Sequence, residues 1–232
     1  MTTSDIKIPV PGGSFTGYLA KPASGKGPGV IVIQEIFGVN ANIRSIADDY
    51  ARQGFFALAP DLYWRVEPNV QLTDQTKGEW DKAFALMKAF DLDQGVNDIQ
   101  SAIDLLRGMP GVTGKVGAVG FCLGGRLAYF TAARTNVDAA VSYYGVGINN
   151  NLDEAKTIKV PLMLHVPTAD GFVPPDAQAA MKAGLAPYPN VTFHEYDGRD
   201  HAFARVGGEH YDKAAADLAN SRTSAFFKTH LS

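Results

Sequence analysis

The chain has 232 residues, 46% of them hydrophobic and 19% charged, with a formal charge of −3. That composition excludes an intrinsically disordered chain, and a slightly acidic balance without a basic cluster argues against a nucleic-acid partner. The single cysteine, Cys122, excludes an internal disulfide and any zinc site built from paired thiols.

Met1–Asp5 carries no basic region leading into an apolar stretch, and the longest apolar runs are strand-sized. Neither a secretion signal nor a membrane span is expected, and a cytoplasmic location is the default. No linker or charge block divides the sequence, so a single domain over 1–232 is expected, with a monomer favoured.

The chain opens with Ile6–Val10, a turn at Pro11-Gly12-Gly13, and Phe15–Leu19, the pattern of an antiparallel hairpin at a sheet edge. Val30–Ile33 is continuous β-branched sequence, as in a strand buried on both faces. From Asn42 to Gln53, Ile43, Ile46, Ala47, Tyr50 and Ala51 share one helix face, stopped by Gly54. Phe55–Pro60 reads as the next strand. Lys77–Leu106 is helical in two pieces, with stripes at Trp80, Phe84, Met87 and Phe90 and at Val96, Ile99, Ile103 and Leu106. Gly95 is the expected break, and Gly108 with Pro110 ends the second piece.

Val116–Gly125 follows, an apolar run ending in Gly120-x-Cys122-x-Gly124, with helix-like sequence from Gly125 to Ala133. This is the nucleophile-elbow pattern with cysteine in place of serine. The remainder alternates in the same way: strands at Ala139–Tyr144, Val160–His165 and Val191–Tyr196, a helix over Pro174–Leu185, and a closing amphipathic helix through Tyr211, Ala215, Leu218, Arg222 and Phe226. Strands alternating with helices predict an α/β fold, a mostly parallel sheet with helices on both faces. Ligands of such sheets sit beyond the carboxyl ends of the strands.

Four of those ends carry reactive groups: Glu35, Cys122, Asp170 and His201. By itself Cys122 could be a buried small hydrophobe and Asp170 part of an Asp-Gly turn. The order nucleophile, acid, histidine is nevertheless that of hydrolases built on a nucleophile elbow. A thiol with a free pKa of about 8.5 needs a base at neutral pH, and an aspartate on the far ring nitrogen fixes the tautomer of that base. Asp176 falls inside a helix, and His165, His194, His210 and His230 lie in strands or against the last helix; only His201 occupies a loop after the final strand. Glu35 stands in otherwise apolar sequence, where a carboxylate needs a partner.

Gln34-Glu35-Ile36-Phe37-Gly38, Gly120-Phe121-Cys122-Leu123-Gly124-Gly125, Tyr143-Tyr144-Gly145-Val146-Gly147, Asp170 and His201-Ala202-Phe203-Ala204-Arg205 together resemble the dienelactone hydrolase (carboxymethylenebutenolidase) family of α/β-hydrolases. The resemblance implies Cys122 as nucleophile, Asp170 and His201 as its partners, and Glu35 as a group that contacts the thiol and governs its activation. It also implies an anionic lactone or ester as substrate, held by Arg205, with Phe37, Tyr143, Trp80 and Phe84 beside it; no metal or cofactor is implied. Backbone N–H groups of Leu123 and Ile36 would form the oxyanion hole. A second carboxylate-binding arginine of the family has no counterpart in Lys77-Gly78-Glu79-Trp80-Asp81-Lys82; Arg65 or Lys82 could supply the charge. Trp80, Phe84 and Met87 share a helix face, which on its own also fits core packing. A general small-ester esterase of the same fold and a non-catalytic thiol sensor are the rival readings.

Overall fold

The computed structural model describes residues Met1–Ser232. Eight strands form one sheet: β1 (Thr2–Val10), β2 (Gly13–Lys21), β3 (Gly27–Ile33), β4 (Phe56–Pro60), β5 (Val112–Phe121), β6 (Ala139–Tyr143), β7 (Leu162–Pro167) and β8 (Val191–Tyr196). Their order across the sheet is β1-β2-β4-β3-β5-β6-β7-β8. β1, β2 and β4 pair antiparallel, and every pairing from β4 through β3 to β8 is parallel. The hairpin at the edge is longer than its alternating core suggests: Thr2 pairs with Lys21 at its open end. Polar residues on its exposed face hide that length from a periodicity argument.

The helices are α1 (Ala41–Arg52), α2 (Lys77–Ala89), α3 (Leu92–Arg107), α4 (Leu123–Arg134), α5 (Pro175–Leu185) and α6 (Lys213–Leu231). Alternation along the central strands divides the core between two faces. Ile31 and Ile33 of β3 pack with α3, α4 and α5 residues such as Ile99, Leu127 and Met181. Val30 and Val32 pack on the other face with α1 and α6 residues such as Ile43, Ala47 and Phe227. No helix is long and apolar enough to cross a membrane.

One expectation needs correction. The break between α2 and α3 is at Phe90-Asp91, not at Gly95. Asp91 caps α3, its side chain accepting from the Asp93 and Gln94 amides at 2.9 and 3.0 Å, and an N-cap of this kind overrides a glycine that can be tolerated within a helix. Gly95 lies inside α3 because the Phe90 ring packs on it; a Cβ there would be 2.3 Å from that ring. A 3₁₀ segment, Ile148–Thr157, is added by the structure, in sequence whose polar run Asn149-Asn150-Asn151 carries no helical period. It lies against α4 and α5 and forms one wall near the site.

Candidate active site

The turn between β5 and α4 places Cys122 at φ 57°, ψ −114°, a strained conformation for a residue with a side chain. Glycine is required around it for close approach. A Cβ on Gly120 would stand 1.9 Å from the Gly124 carbonyl oxygen, and one on Gly124 would stand 2.5 Å from the Ile33 and Gln34 carbonyls. Strand and helix can therefore fold back tightly, with Cys122 at the tip and its amide bonded to the Tyr143 carbonyl at 3.1 Å. The helix starts at Leu123, two residues earlier than its apolar pattern indicates, so the sulfur sits at the positive end of α4.

Asp170 follows β7 and His201 follows β8, and both are buried. His201 Nδ1 lies 3.1 and 3.0 Å from the two Asp170 oxygens. Asp170 Oδ1 also accepts from the Phe172 and Val173 amides at 2.8 and 3.2 Å, which fixes the carboxylate. Asp200 ties the two loops together by accepting from the Gly171 and His201 amides at 2.9 and 2.6 Å. On the far side of the ring, His201 Nε2 is buried with no formed hydrogen bond. Burial disfavours the imidazolium, but the negative charge of a Cys122 thiolate and the bond to Asp170 outweigh it and raise the histidine to about 10. Cys122 and His201 border the same cavity.

Glu35, just beyond β3, is buried and held by Arg205, whose Nε and Nη2 donate to its two oxygens at 2.9 and 3.0 Å. Arg205 Nη1 donates to Asp74 at 2.8 Å, and the guanidinium stacks 5.0 Å from the Phe37 ring. Hydrogen bonds from Arg205 hold the Asp74 carboxyl below its ordinary range although burial opposes this. The Ile36 N–H makes no backbone hydrogen bond, and the Leu123 N–H, the first of α4, has no acceptor within its helix.

A cavity of about 400 Å³ opens over these groups, lined by Ile36, Phe37, Cys122, Leu123, His201 and Arg205, among others. A match to the dienelactone hydrolase family spans residues 15–231. The chain belongs to the dienelactone hydrolase family. It is a hydrolase acting on ester or lactone bonds. It is 48% identical over 234 residues to an Azospirillum brasilense protein named "Putative carboxymethylenebutenolidase", with 98% of this chain and 99% of that one covered. It is 39% identical over 227 residues to the carboxymethylenebutenolidase of Pseudomonas putida, covering 97% and 96%. A Klebsiella pneumoniae crystal structure described as "Putative Dienelactone Hydrolase" superposes with a TM-score of 0.86 at 27% identity, covering 98% of both chains.

In this family member Phe37, Trp80, Phe84 and Arg205 border the cavity, as does Met87. The stripe on α2 is therefore a cavity wall and not a core seam: Ala83 and Leu86 face inward, whereas Phe84 and Met87 are 40% and 38% exposed. Trp80 sits edge-on to Phe37 at 4.9 Å and its indole N–H donates to the Asp74 carbonyl at 3.0 Å. Tyr143 does not reach the substrate side. It points through the opposite face of the sheet, its hydroxyl bonded to Asn220 and Thr223 at 3.0 and 2.7 Å. The residue that comes beside the site is Tyr144, which follows β6 at φ 39° and lies 5.1 Å from the His201 ring.

Neither Arg65 nor Lys82 supplies a free charge. Arg65 is paired with Asp98 at 2.8 Å and stacked 4.1 Å from Trp64, and Lys82 is paired with Glu67 at 2.6 Å. The sequence argument did not single out Phe172 and Arg126, which line the cavity, or Asp74, which lines the pocket beside it. Asp74 and Phe172 are loop residues with no periodic signal. Arg126 did leave one, as the sole charged residue between Leu123 and Ala133.

Proposed function

We propose that this enzyme opens an ester or lactone through an acyl-enzyme on Cys122, and that its substrate is dienelactone (4-carboxymethylenebut-2-en-4-olide), converted to maleylacetate. The observation that supports the reading is that His201 is bonded to Asp170 at 3.0 Å and borders the same cavity as Cys122. His201 takes the thiol proton through Nε2, and the sulfur attacks the lactone carbonyl. The Ile36 and Leu123 amides receive the oxyanion. Collapse breaks the ring C–O bond, and the leaving oxygen, still attached to the acyl chain, takes the proton held on His201 Nε2 to become the enol. His201, neutral again, removes a proton from water as the oxygen attacks the thioester; collapse expels the Cys122 thiolate, which recovers that proton from His201, and the enol relaxes to the ketone, so that lactone plus water give maleylacetate. Asp170 keeps the imidazole in the required tautomer. Glu35, locked on Arg205, acts as a fixed anion that restrains the site, which leaves proton transfer to His201.

The family's named relatives support the lactone, and the apolar walls at Phe37, Trp80 and Phe84 suit a flat conjugated ring. Those same walls, with no arginine near Trp80, favour the rival reading of a general small-ester esterase. Comparing kcat/KM for dienelactone with that for neutral p-nitrophenyl esters separates the two. We expect dienelactone to be preferred by at least about tenfold, the worth of one charge-assisted contact; a preference for neutral esters would establish the esterase.

A further inference from the structure

Besides the catalytic histidine, two basic side chains border the active-site cavity, Arg205 and Arg126, and their surroundings differ in sign. Arg205 is already flanked by two carboxylates, Glu35 and Asp74, at 2.8–3.0 Å. Its donors are therefore shared with two protein carboxylates before any substrate arrives. Arg126 has no carboxylate partner. The nearest acid on its wall, Glu154, is taken by Arg134 at 2.5 Å, as is Asp93 at 2.7 Å.

The Arg126 guanidinium makes one hydrogen bond, to the neutral Asn151 side chain at 3.0 Å. Its Nε is buried without a partner, and Nη1 donates to no protein atom. One face covers the Phe130 ring at 5.3 Å. Burial, with the nearby Arg134 charge, makes the cation harder to hold, lowering its pKa. A half-buried cation with spare donors is satisfied by an anion. The groups around it agree: Arg126 is in the first turns of α4, four residues after Cys122, and Gly147 and Asn150 from the start of the 3₁₀ segment border the cavity beside it. A Cβ at Gly147 would be 3.3 Å from Nη1, so glycine leaves room at the guanidinium.

We infer that Arg126 is a second anchor for the substrate's carboxylate, added to the contact that the family resemblance assigns to Arg205, so that the lactone lies with its carboxylate toward α4 and the 3₁₀ segment and its carbonyl at Cys122. This rests on the anionic-lactone reading above and adds the residue that selects for it. Arg126 then stands in for the charge that Trp80 does not provide.

The test compares kcat/KM for dienelactone and for its neutral methyl ester in the wild type, Arg126→Met and Arg126→Lys. We expect the acid-to-ester ratio to fall about 10- to 100-fold in Arg126→Met, mainly through KM, and to recover several-fold in Arg126→Lys. Turnover of the methyl ester reports that the variants are folded, and Arg126→Gln repeats the comparison if the methionine variant is not. An unchanged ratio, or an equal fall with the lysine, overturns the inference while the hydrolase reading stands. A folded wild type inert on both compounds overturns that reading and this inference with it.

Discussion

Cys122→Ala is expected to lower kcat for lactone or ester hydrolysis by about 10⁴-fold or more, while leaving the fold intact. The size follows from the division of labour at the site. His201 and Asp170 can only activate a nucleophile that is present, and the oxyanion amides act on a tetrahedral centre that no longer forms by sulfur attack. The substitution removes one sulfur from a half-buried position, and alanine carries no more steric burden than cysteine at φ 57°. Unfolding measured by circular dichroism should therefore change little. A variant that retained a tenth of the parental rate would show that Cys122 is one of the inert cysteines its residue type usually provides.

The second large effect is on stability. Arg205→Met should cost about 3–5 kcal/mol in denaturant unfolding, because it leaves Glu35 buried without its cation. The Glu35 and Arg205 side chains are 1% and 9% exposed, so water cannot take over the lost bonds. Glu35→Gln is expected to cost less, since Arg205 keeps Asp74 at 2.8 Å and the glutamine is neutral. The double variant Glu35→Gln/Arg205→Met should recover part of the loss, because it removes the stranded Glu35 charge while Asp74 stays without its cation. Additive losses in this cycle would show that Arg205 matters for its stacking on Phe37 and not for the ion pair.

Much of this arrangement could be read in the chain, and the parts that could not have a common cause. The strand and helix alternation specifies the layers because each face of the sheet needs its own apolar set, as Ile31 and Val30 illustrate on opposite sides of β3. The elbow is legible because Gly120 and Gly124 are demanded by backbone contacts below 3 Å. Glu35 announced a partner through its apolar surroundings, but the sequence cannot say that the partner is Arg205, 170 residues away. Pairings closed by tertiary folding leave no local period. Tyr143 misled for a related reason: in the adjacent pair Tyr143-Tyr144 only one ring can face the site, and residue type does not say which. Helical spacing alone left the α2 stripe open, because an apolar cavity wall and a core seam present the same pattern; the exposure of Phe84 and Met87 tells them apart.

The central claim is that the sulfur of Cys122 carries the acyl group. Because Cys122 is the only cysteine, the adduct has one place to form as a thioester. Mixing the enzyme with dienelactone, quenching in acid within milliseconds and measuring intact mass gives the direct answer. The account predicts a transient species heavier by the whole lactone, since the leaving oxygen stays attached, with the added mass on the peptide containing Cys122 and none in Cys122→Ala. Turnover at the parental rate with no adduct on that peptide, or an adduct that persists in Cys122→Ala, would contradict it.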